Sequence, residues 1–400
     1  MELKDIIGQT ALKKQLVAMV QQNRLGHALL LIGKEGSGAL PLAVAFAQWM
    51  VCQPGKHASA PAAALFGEQE SSIEKTDFIS PEAISNMPNF SRATQFMHPD
   101  LHFSYPVIPK KSGDKPISTD YFKEWKEFIR QYPYGNVYDW LQFIGAENKQ
   151  GNITAEECND IMRKLNLKSF ESAYKVLVLW MPEYLGKEGN KLLKLIEEPP
   201  ANTLFILVAE QEEGILPTLV SRCQLIRVPL IEKQDIEAAL IERAYLPADK
   251  AALIASVCGG NYREALQMIQ HAESDWQSLL REWLNATLKA GPAAQLKFID
   301  EMTKTGREKQ KQFLRYFIHL LEQSLHIRLL GIEAATCLPT ESDFAQRLNK
   351  IASVTQQQAI VEELDNAIYY IERNANAKML FMALTIKLQY IIQNKVTFHV

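Results

Sequence analysis

Three short, almost wholly apolar runs punctuate the first 230 residues, at positions 29–32, 175–180 and 204–209. None alternates polar with apolar positions, so each predicts a strand buried on both faces, as in a parallel sheet covered by helices. The first run meets Gly33, Gly36 and Gly38 and then a helical pattern over 42–50. The third is followed by a turn and one apolar helical turn at 216–220, which hands Ser221, Arg222 and Cys223 to the surface, and Val228-Pro229-Leu230 ends the last strand. Beyond this point the period changes. Residues 233–244 and 250–258 read as helices, and Gly259-Gly-Asn-Tyr-Arg263 opens another. From about Trp276 onward, apolar positions recur every three or four residues over 313–325, 360–371 and 379–392, the mark of amphipathic helices, with a connecting turn at 373–378.

Strand, glycine loop and helix form the context of a phosphate-binding loop, in which backbone amides cradle phosphates, a lysine reaches the β/γ-phosphates and a hydroxyl binds Mg²⁺. Counting from Gly33 to Gly38, the lysine position holds Ala39 and the hydroxyl position holds Leu40. The glycines serve a tight turn equally well without any ligand. At the end of the 175–180 run, where an acidic pair would hold Mg²⁺ and polarise water, stand Trp180 and Met181, then Pro182 and Glu183. Loss of lysine, hydroxyl and both acids at separate places argues against ATP hydrolysis by this chain. Arg222, taken alone, reads as a solvated surface arginine. Its fixed charge and planar fork also suit it to a nucleotide phosphate held by another molecule.

Several motifs fall in one order: Ile6-Ile-Gly-Gln9, Arg24-Leu-Gly-His27, His98-Pro-Asp-Leu-His102, Glu197-Glu198-Pro199-Pro200 and Ser221-Arg222-Cys223. Together they resemble the bacterial clamp-loader subunits of the AAA+ class, most specifically the delta-prime branch, in which ATPase motifs are commonly decayed while Ser-Arg-Cys remains. The resemblance covers residues 1–275 in its motifs and the remainder as a helical pattern. It implies an α/β fold: a P-loop AAA+ module with a parallel sheet over 1–228, carrying an insertion at about 53–150. A small helical lid over 229–275 and an all-α collar for oligomerisation over 276–400 would follow. It also implies a non-hydrolysing component of the DNA polymerase III holoenzyme, in a heteropentamer with DnaX-type ATPase subunits and the delta subunit. Arg222 would act as a trans arginine finger on ATP bound by the neighbouring subunit, with Ser221 and Cys223 holding its turn, while the complex loads a sliding clamp on primed DNA. Arg263 falls at the position where active relatives sense the γ-phosphate, though a salt-bridged helix arginine explains it as readily. An active ATPase of the same superfamily, of DnaX or Holliday-junction-motor type, and a stand-alone DNA-binding module stay open as alternatives.

Length and charge narrow this only modestly. Four hundred residues suit two or three domains. A formal charge of −3 supplies no global field for nucleic acid, so DNA contacts are expected to be local or shared. No run reaches the ~20 apolar residues of a membrane span, and the first residues lack signal-peptide character, so a cytoplasmic location without membrane contact is expected. Five scattered cysteines (Cys52, Cys158, Cys223, Cys258, Cys337) fit reduced thiols. Relatives often carry a four-cysteine zinc module after the loop helix. Here Cys52 stands alone with only His57, His98 and His102 to draft, so no metal and no cofactor are expected. Residues 53–97 read as a loop-like insertion. The aromatic cluster at 110–150 reads as core packing rather than a base-stacking surface.

Overall fold

The computed structural model describes residues 1–53, 78–111, 113–146, 149–270, 276–331, 339–372 and 375–394. His57, Cys337, and parts of the 53–150 insertion and of the 373–378 turn lie outside these residues. The chain divides into two compact units, one of Met1–Tyr245 with Gly259–Glu264, the other of Leu246–Cys258 with Ala265–Val400.

The first unit is built on a five-stranded sheet of β1 (Ala28–Ile32), β2 (Leu101–Ser104), β3 (Lys175–Trp180), β4 (Thr203–Ala209) and β5 (Gln224–Arg227), in spatial order β2-β3-β4-β1-β5. Every pairing is parallel. The expected α/β architecture is therefore the observed one. Period-two geometry sends alternate side chains to opposite faces. Leu29 and Leu31, Val176, Val178 and Trp180, and Leu204, Ile206 and Val208 join one apolar cluster. Ala28 and Leu30, Leu177 and Leu179, and Phe205 and Leu207 join the other. Helices cover both faces. The helix Ala39–Met50, buried along its whole length, lies in the first cluster, whereas Ala155–Asn166 and Asn190–Glu197 contribute to the second. This double coverage is why the strands carry no polar alternation.

One correction concerns the 53–150 stretch. β2 lies inside it and pairs with β3 from Leu101↔Val176 to Ser104↔Leu179, so the stretch contains a strand of the sheet itself. A four-residue strand with a histidine at its second position offered too weak an apolar signal to be read. The material after β2 packs as core: Trp125, Phe128 and Trp140 are fully buried, and Tyr105 stacks on Trp125 with ring centroids 3.9 Å apart.

In the second unit, helices Trp276–Asn285, Pro292–Thr303, Arg307–Leu330, Pro339–Ile351, Val354–Glu372 and Ala377–Asn394 surround a separate core that includes Trp283, Phe298, Phe313, Phe317 and Phe381. Trp283 stacks on Phe298 and donates its indole N–H to Thr385 Oγ1 at 3.0 Å, so the one polar atom of that buried ring is satisfied.

Candidate functional site

Chain direction reverses around β1. The path from β1 leads across the sheet to β2, whereas β4 is followed by β5 on the other side of β1. Such a switch point leaves a crevice beyond the carboxyl ends of the strands, where α/β proteins bind ligands. The loop after β1 opens into this crevice. Gly36 (φ +70°) and Gly38 (φ +88°) adopt left-handed backbone conformations that favour glycine. A Cβ on Gly36 would stand 1.8 Å from Asn261 Oδ1, and one on Gly38 would stand 3.0 Å from Tyr134 Cε1. Both glycines thus admit other parts of the same chain. Gly33 donates its N–H to the Ala209 carbonyl at 3.0 Å, anchoring the loop to β4. Ala39 and Leu40 are buried in the helix that follows, with no charged or hydroxyl group to offer.

Tyr134 from the aromatic cluster, Arg263 from the start of its helix, and Glu35, Asn136 and Asp139, which the sequence did not single out, fill the rest of the crevice. Tyr134 accepts a hydrogen bond from the Ile7 N–H at 2.9 Å, and its ring meets Tyr262 edge-on at 4.9 Å. Burial pushes its phenol up to about 12. Two residues further on, Asn136 and Asp139 cap the helix Val137–Phe143 reciprocally. Asn136 also donates to Glu35 Oε2 at 2.9 Å. Arg263, only 4% exposed, closes the cluster: its Nε and Nη2 each reach an oxygen of Asp139 at 2.5 Å, and Nη1 reaches Glu35 Oε1 at 2.9 Å. The cavity that remains measures about 30 Å³ and is lined by Gly36, Ala39, Tyr134, Asn136, Trp180 and Glu210 among others. That is room for about one or two waters, where small-molecule sites run to hundreds of cubic ångströms.

Trp180 and Met181 stand at the end of β3 as expected, and Trp180 lines the cavity. Its ring also packs against Trp125 at 5.3 Å and Phe128 at 6.1 Å, so the place where an acid would stand belongs to the aromatic core. Glu183 does something else. It accepts the backbone N–H groups of Glu210 at 2.8 Å and Gln211 at 3.2 Å through Oε1, and burial raises its carboxyl above the usual range. It holds the start of the loop that leads from β4 to Arg222.

On that loop the helical turn Pro217–Val220 delivers Ser221, Arg222 and Cys223 just before the edge strand β5. Arg222 is folded back rather than extended. Its Nε and Nη2 engage Glu197 of the Glu-Glu-Pro-Pro motif, and Nη1 donates to the Thr218 carbonyl at 2.7 Å and to Ser221 Oγ at 3.4 Å. Ser221 in turn donates to the Thr218 carbonyl at 3.2 Å. Cys223 packs at the margin of the second apolar cluster, and burial lifts its thiol to about 11, so it serves as a small apolar group. The guanidinium side chain remains 34% exposed and its Glu197 partner 43%. An ion pair this open is worth about 0–1 kcal/mol.

Among the described residues no group of three or more His, Cys, Asp or Glu is placed to hold a metal ion. His98 is buried: its Nδ1 accepts the Asp100 N–H at 3.2 Å, and its Nε2 faces Glu171 at 3.2 Å. Cys52 is buried, its thiol pushed up to about 12. No helix among the described residues is long and apolar enough to cross a membrane.

Residues 8–232 match the model of a family described as DNA polymerase III, delta subunit. The chain is 24% identical over 265 residues to the DNA polymerase III subunit delta' of Bacillus subtilis, covering 66% of this chain and 60% of that one. To the delta' subunit of Escherichia coli it is 24% identical over 216 residues, covering 53% and 45%. To the tau subunit of Bacillus subtilis it is 29% identical over 181 residues, covering 44% and 31%. The chain thus spans less than two thirds of the length of each of these relatives.

Proposed function

This chain belongs to the family described as DNA polymerase III, delta subunit, and from that premise we propose that it is a non-hydrolysing, delta-prime-type subunit of a clamp loader. The motif resemblance to bacterial clamp-loader subunits agrees with the family membership. In this reading the chain works in the cytoplasm and in DNA replication, as a component of the DNA polymerase III holoenzyme. It assembles with DnaX-type ATPase subunits and a delta subunit in a heteropentamer that acts on a sliding clamp and primed DNA. It needs no cofactor of its own, because ATP is bound by the neighbouring subunit.

One observation carries the reading: Arg222 sits on a hydrogen-bonded turn beside an edge strand, held by an exposed carboxylate that a phosphate can replace at small cost. Presented to ATP on a neighbouring subunit, its planar fork would stabilise charge developing on the transferred phosphoryl group. Glu183 and Ser221 fix the path of its loop. The rest of the α/β unit is the rigid frame against which ATP-bearing subunits close, and residues 276–400 form the collar.

The test is Arg222→Ala in a reconstituted loader. The complex should assemble normally, while clamp loading falls steeply and total ATP turnover falls in part. Trans arginine fingers contribute roughly 10³–10⁵ in rate at one site, and this subunit serves one of several. Arg222→Lys should rescue little, because a point charge cannot reproduce the fork. Wild-type loading by an intact Arg222→Ala complex would refute the proposal. Similarity to a tau subunit favours a second reading, an active ATPase. Ala39, Leu40 and Trp180 weigh against it, and ATP turnover that co-purifies with the isolated chain would establish it.

A further inference from the structure

The cluster around Arg263 does more than mark a lost activity. An arginine this deeply buried needs counter-charge, because an unpaired ion away from water is strongly destabilising. In a nucleotide-binding protein phosphates could supply that charge. Here Glu35, from the glycine loop itself, and Asp139, from the segment after β2, supply it from two sides. Asn261 and Asn136 each donate to Glu35 as well, at 3.3 Å and 2.9 Å. On the other flank the Tyr134 hydroxyl takes up the Ile7 N–H. The backbone joins in, with the Tyr262 N–H donating to the Gly36 carbonyl at 3.2 Å. We infer that residues 133–139 are a built-in occupant of the nucleotide cleft. With Glu35 they replace the phosphate charge and tie Gly259–Glu264 to the glycine loop without any nucleotide. The contact is constitutive, so ATP neither enters the cleft nor governs that tie. This goes beyond the arginine-finger reading and does not depend on it.

Hydrogen exchange on the full-length chain, read peptide by peptide, tests the inference. In the wild type, millimolar ATP or ADP should leave exchange in residues 33–38 and 259–264 unchanged. Asp139→Asn keeps the volume but removes the bidentate counter-charge. It should speed exchange about tenfold or more in both 133–139 and 259–264, since local opening tracks the free energy of the contacts that close it. Exchange in β3 and β4 should stay at the wild-type rate. Glu35→Gln, a second isosteric change, should loosen residues 33–38 and 259–264 in the same way. Nucleotide-dependent protection of the glycine loop in the wild type would overturn the inference. So would loosening confined to 133–139 while 259–264 stays unmoved in both variants.

Discussion

Placing an acid at the end of β3 tests whether the tryptophan there is a packed part of the fold. Trp180 is 3% exposed, with its ring against Trp125 and Phe128. Trp180→Asp removes that ring and leaves a carboxyl in its place. Truncating a buried tryptophan costs about 3–5 kcal/mol, and a buried polar group without partners adds roughly 1–3 kcal/mol even when neutral. The sum, about 4–8 kcal/mol, is a large share of the 5–15 kcal/mol typical of a whole domain. Trp180→Phe keeps an aromatic ring in place and should lose on the order of 1–2 kcal/mol. Urea unfolding followed by near-ultraviolet circular dichroism reads the aromatic cluster directly. At a slope of roughly 1–3 kcal/mol per molar, the aspartate variant should unfold at least about 0.7 M earlier than the phenylalanine variant. The difference should grow with pH. Burial raises the new carboxyl's pKa in the folded state, so the unfolded chain gives up its proton first and stability falls as pH rises through the ordinary carboxylate range. If Trp180→Asp unfolded with Trp180→Phe at every pH, the claim that the aromatic core excludes the acid would be wrong.

Two further outcomes follow from groups away from the cleft. Asp100, which is buried, accepts the backbone N–H groups of Phe170, Glu171 and Ser172 at 2.7, 2.9 and 2.8 Å. Asp100→Asn turns one acceptor into a donor facing an N–H, so the first unit should lose about 1–3 kcal/mol in urea unfolding. An unchanged midpoint would show that these three N–H groups do not need the carboxylate. His319 in Arg307–Leu330 is 3% exposed, and burial, helped by the nearby His326, lowers its pKa to about 4. The unfolded chain therefore binds the proton first. Stability of the helical unit should be full above the ordinary histidine pKa and decline as pH falls toward 4. His319→Gln should flatten that decline, as read by hydrogen exchange in this helix across the pH range, and an equally steep decline would exclude His319 as its source.

The sequence alone determined the strands β1, β3 and β4, because burial on both faces leaves an unbroken apolar run that needs no partner to be recognised. It determined the long helices beyond residue 300 through their three-to-four spacing, and the absence of lysine and hydroxyl at Ala39 and Leu40 by simple position. Family membership was legible too, since Glu-Glu-Pro-Pro and Ser-Arg-Cys are local strings. What the tertiary structure decided is what meets what. Glu35, Asp139 and Arg263 are separated by more than a hundred positions along the chain, and no local pattern announces a charge whose partner is that remote. Asn136 and Asp139 carry a helix-cap signature, but it marks a helix start and not an occupant of the cleft. Glu183 looked like a remnant of an acidic motif until backbone geometry turned it onto the amides after β4. Arg222 was recognisable as an outward arginine, and only the fold brought Glu197 beside it. Periodicity encodes burial, which each residue satisfies against the chain's average surroundings, whereas a site is made of particular pairs that exist only after the sheet has set their register.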